Sequence, residues 1–247
     1  MIHYHGTPIG GSLDEAQRFM SGRHCLVSYH HPNQLKSVVE LCQSFCLDNG
    51  AFSFWKSGKG EVDFYGYHDW VQALAGHPCL DFCLIPDKID GTVEENEALV
   101  TKWLRLGSAV ESTPVYHLHE PLDYLDYLVG NFRTVALGSS GQFAQPNTAS
   151  WWGRMAKVMQ VACTKDGRPK CRLHGLRMLD PRVFSRLPLS SADSTNAAVN
   201  SGAISSYGSY VPPSRSLRAA VIADRVERYN SAPFWEKVDQ VDLALEA

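Results

Sequence analysis

The sequence predicts a single (β/α)8 barrel, and three observations carry the expectation. Eight short β-rich runs alternate with eight amphipathic stretches. The chain is 247 residues long, and this fold typically takes about 250 residues. Polar residues recur just past the end of one run after another, where such a barrel gathers its functional groups.

The strand runs, in order, are Ile2–His5, Cys25–His30, Ser44–Leu47, Asp81–Ile85, Val115–Leu118, Thr134–Leu137, Cys171–Leu176 and Leu189–Ala192. Helices are expected at about 13–22, 33–43, 67–76, 93–106, 121–130, 149–162, 181–186 and 215–229. The second and sixth carry apolar residues at helical spacing. Ser12 with Glu15, and Thr92 with Glu95, have the capping-box spacing, in which two side chains satisfy orphan amides of a first turn. Pro32 and Pro121 stand near helix starts, where a missing N–H costs least. Consecutive strand–helix units imply parallel strands. An open doubly wound sheet is the alternative, but eight units in this length favour closure. The whole chain, 1–247, is read as one domain, with 194–209 a long loop and 215–246 a C-terminal helical segment.

Composition narrows the classes. Hydrophobic residues make up 44% and charged residues 20%, which is ordinary for a globular protein. No apolar run approaches the ~20 residues of a membrane span, so no membrane partner is expected. The N-terminus has neither a basic start nor a long apolar stretch, so no secretion signal is expected. Seven irregularly spaced cysteines point to reduced thiols and a cytoplasmic setting. The net charge of −3 argues against a nonspecific nucleic-acid coat. Its distribution is uneven, however. Residues 154–186 hold nine Lys/Arg against Asp166 and Asp180, a net +7, which leaves −10 for the rest. Such a stretch suits a phosphate backbone or an ordinary solvated face equally well.

The polar strand ends are His5–Thr7, Asp48–Phe52, Pro86–Asp87, His119–Glu120, Gly138–Gln142, His174–Gly175 and Asp193–Asn196. Singly, each has a plain reading: Asn49–Gly50 as a turn, Asp87 as a loop carboxylate, Asp193 as a cap. Three aspartates on three strand ends of one barrel are harder to dismiss together.

With these residues the chain resembles the tRNA-guanine transglycosylases and their DNA-acting relatives, the short phage-type 7-deazaguanine DNA transglycosylases. The likeness rests on Asp48-Asn49-Gly50-Ala51-Phe52 after the third strand, Asp87 after the fourth, the Gly138–Gly141 loop after the sixth, and Asp193 after the eighth. It runs over about residues 1–200, and only the Asp48–Phe52 motif is individually specific. The resemblance implies a pentosyltransferase that replaces guanine in nucleic acid with a 7-cyano- or 7-aminomethyl-7-deazaguanine. The tRNA enzymes carry a structural zinc in an added segment. Here the nearest ligand candidates are Cys163, Cys171 and His174, with no fourth, and a structural zinc needs four. No metal or other cofactor is therefore expected. The compact chain resembles the DNA enzymes, and DNA is taken as substrate before tRNA on that likeness alone. If phage-encoded, the protein would act in the host cytoplasm, with accessory proteins as conceivable partners.

The roles that follow from the resemblance are these. Asp193 is the nucleophile at C1′, and Asp48 the general acid/base. Asp87 accepts hydrogen bonds from the purine N1–H and 2-amino group. Asn49, Gly50, His119 and the Gly138–Ser139 backbone line the base. Phe52 stacks on the base or belongs to the core; the sequence leaves both open. Arg168, Lys170 and Arg172 are candidates for holding phosphate, and the 194–209 loop for closing the pocket.

Two other readings compete. His3, His5, His117, His119, His174 and Asp193 superficially match the ligands of a metal-dependent amidohydrolase barrel, which leaves Asp48 and Asp87 without a role. A non-catalytic nucleic-acid-binding module would explain the basic stretch, but not three retained aspartates.

Overall fold

The computed structural model describes residues 1–58, 60–203 and 210–236. Its strands are β1 (Ile2–Gly6), β2 (His24–Ser28), β3 (Ser44–Asp48), β4 (Leu80–Leu84), β5 (Ser112–Thr113), β6 (Val115–His117), β7 (Thr134–Gly138), β8 (Arg172–Leu176) and β9 (Ser191–Ser194). All pair in parallel, in the order β5-β4-β3-β2-β1-β9-β8-β7-β6.

The two ends of that order are one stretch of chain. β5 and β6 are separated only by Pro114, which lacks the N–H a ladder needs. Thr113 O accepts from Ile85 N beside β4 (2.9 Å), and Pro114 O accepts from Ala136 N on β7 (2.9 Å). One broken strand thus joins both edges of the sheet, and eight staves enclose a barrel whose seam is Pro114.

Around it run α1 (Leu13–Met20), α2 (Leu35–Leu41), α3 (Ala51–Ser57), α4 (Phe64–Leu74), α5 (Val93–Leu106), α6 (Leu122–Asn131), α7 (Ala149–Ala162), α8 (Pro181–Phe184), α9 (Asn196–Asn200) and α10 (Arg215–Glu227). Both expected capping boxes form, at Ser12/Glu15 and Thr92/Glu95. α10 completes the helical ring by packing on α1 and α9, with Arg23 pairing Glu227 (3.2 Å) and Asp224.

Strand alternation divides the side chains between two compartments. Tyr4, Leu26, Cys46, Phe82, Leu84, Val115 and Ala136 fill the barrel. Phe19, Phe45, Tyr67 and Trp103 pack between strands and helices on one side, and Trp151, Trp152, Met155 and Phe184 on the other. All seven cysteines are free.

Three local expectations change. The last strand lies two residues later than expected, so Asp193 is inside β9 rather than beyond it. The stretch read as a 194–209 loop contains the end of β9 and α9; 204–209 lie outside the described residues. Of the expected 215–246 helical segment, the described residues to 236 are helical as α10 alone; 237–247 lie outside the described residues. An unforeseen helix, α3, starts straight after Gly50.

Gly50 permits that start. Its φ is 80°, and a Cβ there would meet His30 Cβ at 3.0 Å and His30 N at 3.1 Å. Gly50→Ala is therefore expected to cost about 1–3 kcal/mol from its backbone conformation alone. Thermal unfolding should register this as a lower Tm, and an unchanged Tm would contradict the described turn.

Candidate functional site

The alternation that fills the barrel with apolar groups puts a different set at its C-terminal mouth. At the last inward position of each strand, β2 presents Ser28, β3 Asp48, β6 His117, β7 Gly138 and β9 Asp193. Register fixes neighbours: Ser28 stands beside Asp48, His117 beside Gly138, and Asp193 beside Tyr4 of β1. Asp87 joins from the loop after β4.

Asp48 is half-buried. Burial, aided by the charges of Asp193 and Asp87, outweighs the hydrogen bonds it accepts from the Ser28 hydroxyl and the Gly50 amide, and pushes its pKa up to about 7. The electrostatic influence of both other aspartates puts the three carboxylates in one neighbourhood. At neutral pH, Asp48 is therefore able both to give and to take a proton.

Asp193 is 5% exposed. Its Oδ1 accepts from the Arg177 amide (3.0 Å) and lies 3.3 Å from His174 Nε2. His174 is fully buried among Tyr4 and Phe82, and its Nδ1 is 2.8 Å from the Ser191 hydroxyl. Cys46 lies deeper on β3; burial and the nearby Asp193, Asp81 and Asp48 charges hold its thiol well above the ordinary range. It is a protonated filler and no nucleophile.

Asp87 is held at both oxygens. Asn49 Nδ2 donates to Oδ1 (2.8 Å) and His117 Nε2 to Oδ2 (2.9 Å). Burial works against the His117 imidazolium, but the hydrogen bond and charge of Asp87 prevail and raise its pKa. The loop behind is pinned as well. Buried Glu120 accepts from the His117 amide (2.8 Å) and Asn96 Nδ2 (2.9 Å). Arg154 donates to Leu118 O (2.7 Å), Tyr116 OH (2.7 Å) and Glu120 O. A cavity of about 390 Å³ opens beside Asp87, walled by Ala51, Phe54, Trp55 and Pro86.

The structure thus brings Asp48, Asp87 and Asp193 together, and corrects several neighbours. Asn49 is not available to read a base edge: Nδ2 also donates to Ile85 O (2.8 Å), and Oδ1 accepts from Ala51 N (2.7 Å). Gly50 sets the turn. Phe52 belongs to none of the core clusters and lies half-buried under the Arg177 guanidinium (4.3 Å). His119 is exposed, stacked on His117 (5.8 Å) with Nδ1 2.8 Å from the Ser140 hydroxyl. Gly138 O already accepts from Leu118 N (2.9 Å), and the Ser139 hydroxyl accepts from Trp151 Nε1 (2.9 Å).

Arg168, Lys170 and Arg172 are not at the mouth. They enter β8 from its N-terminal side, and a five-residue strand separates its ends by about 13 Å. Arg168 pairs with Asp166 (3.2 Å) and Lys170 with Asp126 (3.0 Å). The basic run in sequence is split by the strand that passes through it. The same alternation disperses the histidines of the amidohydrolase reading. His3 and His5 face outward, to Tyr229 O (3.0 Å) and Glu227 (2.8 Å). Among the described residues, no group of three or more His, Cys, Asp or Glu side chains is placed to hold a metal ion. Arg177 and the His117 brace were missed as parts of this site. His117 was legible as the last inward position of its strand, whereas nothing in the sequence marks the backbone turn at Arg177.

No family model and no curated protein matches the sequence. Similar solved structures are tryptophan synthase of M. tuberculosis in its aminoacrylate- and BRD0059-bound form and the Mycobacterium tuberculosis tryptophan synthase structure in space group F222. The first has a TM-score of 0.50 at 10% identity, covering 94% of this chain and 92% of that one. For the second, the TM-score is 0.45 at 10% identity, with 90% and 91% covered. The first bears out the TIM-barrel fold and nothing finer. No described helix is long and apolar enough to cross a membrane.

A carboxyl titrating near 7 in the folded chain, against 3.8 as its ordinary value, binds more protons folded than unfolded between those values. Stability should fall as pH rises through that window. Asp48→Asn removes the ionisation, so the variant should gain stability relative to wild type from pH 4 to 7. Parallel unfolding curves at all pH values would sink this assignment.

Proposed function

We propose that the chain is a pentosyltransferase that exchanges guanine in DNA for a 7-deazaguanine base. The observation that carries the reading is Asp48, titrating near 7 beside two further carboxylates at the mouth of a (β/α)8 barrel. Base exchange needs such a division: one carboxylate to take C1′, one group able to exchange a proton at neutral pH, and one to recognise the base.

The target base is unreachable inside a duplex and is flipped out or presented single-stranded. Asp87, fixed by Asn49 and His117, keeps a lone pair on each oxygen for the N1–H and 2-amino donors of guanine. An Asp193 oxygen attacks C1′ as the C1′–N9 bond breaks. The electron pair passes to guanine, which takes the proton of Asp48. The incoming base then gives its N9 proton to Asp48, its N9 attacks C1′, and the Asp193 ester departs. Two displacements return the original configuration at C1′.

Purified protein incubated with guanine-containing DNA, or separately tRNA, and a 7-cyano or 7-aminomethyl base is digested and the nucleosides weighed by mass spectrometry. Modified deoxynucleoside is expected from wild type, with a loss on the order of 10³-fold or more for Asp193→Asn. Product in tRNA alone would keep the chemistry and replace the substrate. Absence of exchange on both polymers by folded protein would defeat the reading.

The pH dependence is a separate check. The first displacement uses protonated Asp48 and the second its carboxylate. kcat/KM for DNA is thus expected to fall above about pH 7, whereas kcat/KM for the incoming base falls below it. Two profiles of the same shape would remove Asp48 from the proton transfers.

A further inference from the structure

Arg177 follows β8 at the barrel mouth in the left-handed backbone region, with φ 58°. Glycine adopts that conformation freely and arginine does not. From this strained position its two ends do different things. The amide N–H holds Asp193 Oδ1 at 3.0 Å. The exposed guanidinium lies 4.3 Å over the Phe52 ring and pairs with no carboxylate among the described residues.

That last point is unusual at a mouth holding Asp48, Asp87 and Asp193. Three other cations near this end are engaged: Lys88 with Glu61 and Glu95 (3.0 Å each), Arg182 with Asp180 (2.7 Å), and Arg154 with backbone carbonyls. Arg168, Lys170 and Arg172 stand at the opposite end of β8. A nucleic acid reaching Asp193 brings phosphates toward carboxylates that repel them, and a cation must offset this. A guanidinium lying on an aromatic face keeps its edge N–H donors free, in the fork that fits a phosphate.

We propose that Arg177 binds the phosphodiester next to the reacting nucleotide and thereby sets C1′ against Asp193. This rests on the exchange reading above. One residue then locates both partners of the first displacement, the nucleophile through its amide and the substrate through its side chain. Phe52 is the platform that holds the guanidinium out over the mouth.

The test uses the full chain with Arg177→Gly, which suits the backbone conformation, and Arg177→Lys. For the Gly variant, KM for DNA should rise on the order of tenfold to a hundredfold, as for loss of a charged hydrogen bond, with KM for the free base unmoved. The slope of log kcat/KM against log salt should become shallower by about 0.7–0.9, the worth of one phosphate contact. Arg177→Lys should restore the slope and part of the KM. The Gly variant should melt no lower than wild type. Unchanged KM and slope would overturn the proposal, and so would a raised KM with an unchanged slope, which marks a structural role. If wild type exchanges no base, the exchange reading fails first. Binding of a single-stranded oligonucleotide by fluorescence anisotropy still decides Arg177, since equal affinity and salt slope in wild type and the Gly variant would overturn its phosphate role.

Discussion

The Asn49 side chain ties together two strand ends that the ladder itself leaves free. Both of its amide protons are committed, one to Ile85 O and one to Asp87 Oδ1, and its oxygen takes the first amide of α3. β3 and β4 pair only as far as Leu47 and Cys83, so beyond that point the spacing between Asp48 and Asp87 depends on this bridge. At 1% exposure the amide has no water to fall back on, and leaving any of these groups unpaired would cost about 1–3 kcal/mol. The bridge therefore fixes the turn, the start of α3 and the orientation of Asp87 as one unit.

His117 closes the same unit from the neighbouring stave, on the side of β4 away from β3. Its imidazole reaches Asp87 while its amide is held by Glu120, whose other oxygen is held by Asn96 of α5. The chain of contacts Asn49–Asp87–His117–Glu120–Asn96 spans β3, the loop after β4, β6 and α5. A carboxylate supported in this way cannot swing, so its two remaining lone pairs point in fixed directions. The base recognition proposed for Asp87 would need that rigidity more than charge.

How far this was readable from the sequence follows from the type of signal. Eight strands and their order were legible because parallel barrel strands have simple apolar patterns and short loops. Asp48, Asp87 and Asp193 were expected at one end of the barrel and lie there because a strand end is a position, and position survives an error of two residues. Direction along the barrel was harder to read. Arg168, Lys170 and Arg172 lie only five to nine residues before Arg177 in sequence, yet β8 carries the chain from one face to the other between Arg172 and Arg177. Charge counting is blind to that. Asn49 misled for another reason: an amide beside a candidate carboxylate reads equally well as ligand contact or as scaffold, and only its partners decide. α3 went unseen because it is only seven residues long and starts straight after the Asn49–Gly50 turn signal, although Ala51, Phe54 and Trp55 fall at helical spacing.

Ser191, His174 and Asp193 form a line that invites a hydrolase reading, with Ser191 Oγ 2.8 Å from Nδ1 and Asp193 Oδ1 3.3 Å from Nε2. Depth argues against it. Ser191 and Asp193 face the same way on β9, two residues apart, which sets the serine about 7 Å further into the barrel. There it sits against His174, which is fully buried with Tyr4 and Phe82 against the ring. A nucleophilic serine must reach substrate, and its carboxylate partner lies behind the histidine. Here the order is inverted: the carboxylate is the member at the mouth, and the hydroxyl the buried support. The serine hydrogen bond fixes the ring, the ring faces Asp193 Oδ1, and the Arg177 amide holds that same oxygen. Oδ2 is left without a protein partner among the described residues. Asp193 is thus held at one oxygen by the Arg177 amide with the other oxygen unengaged, the arrangement that the proposed attack on C1′ would use.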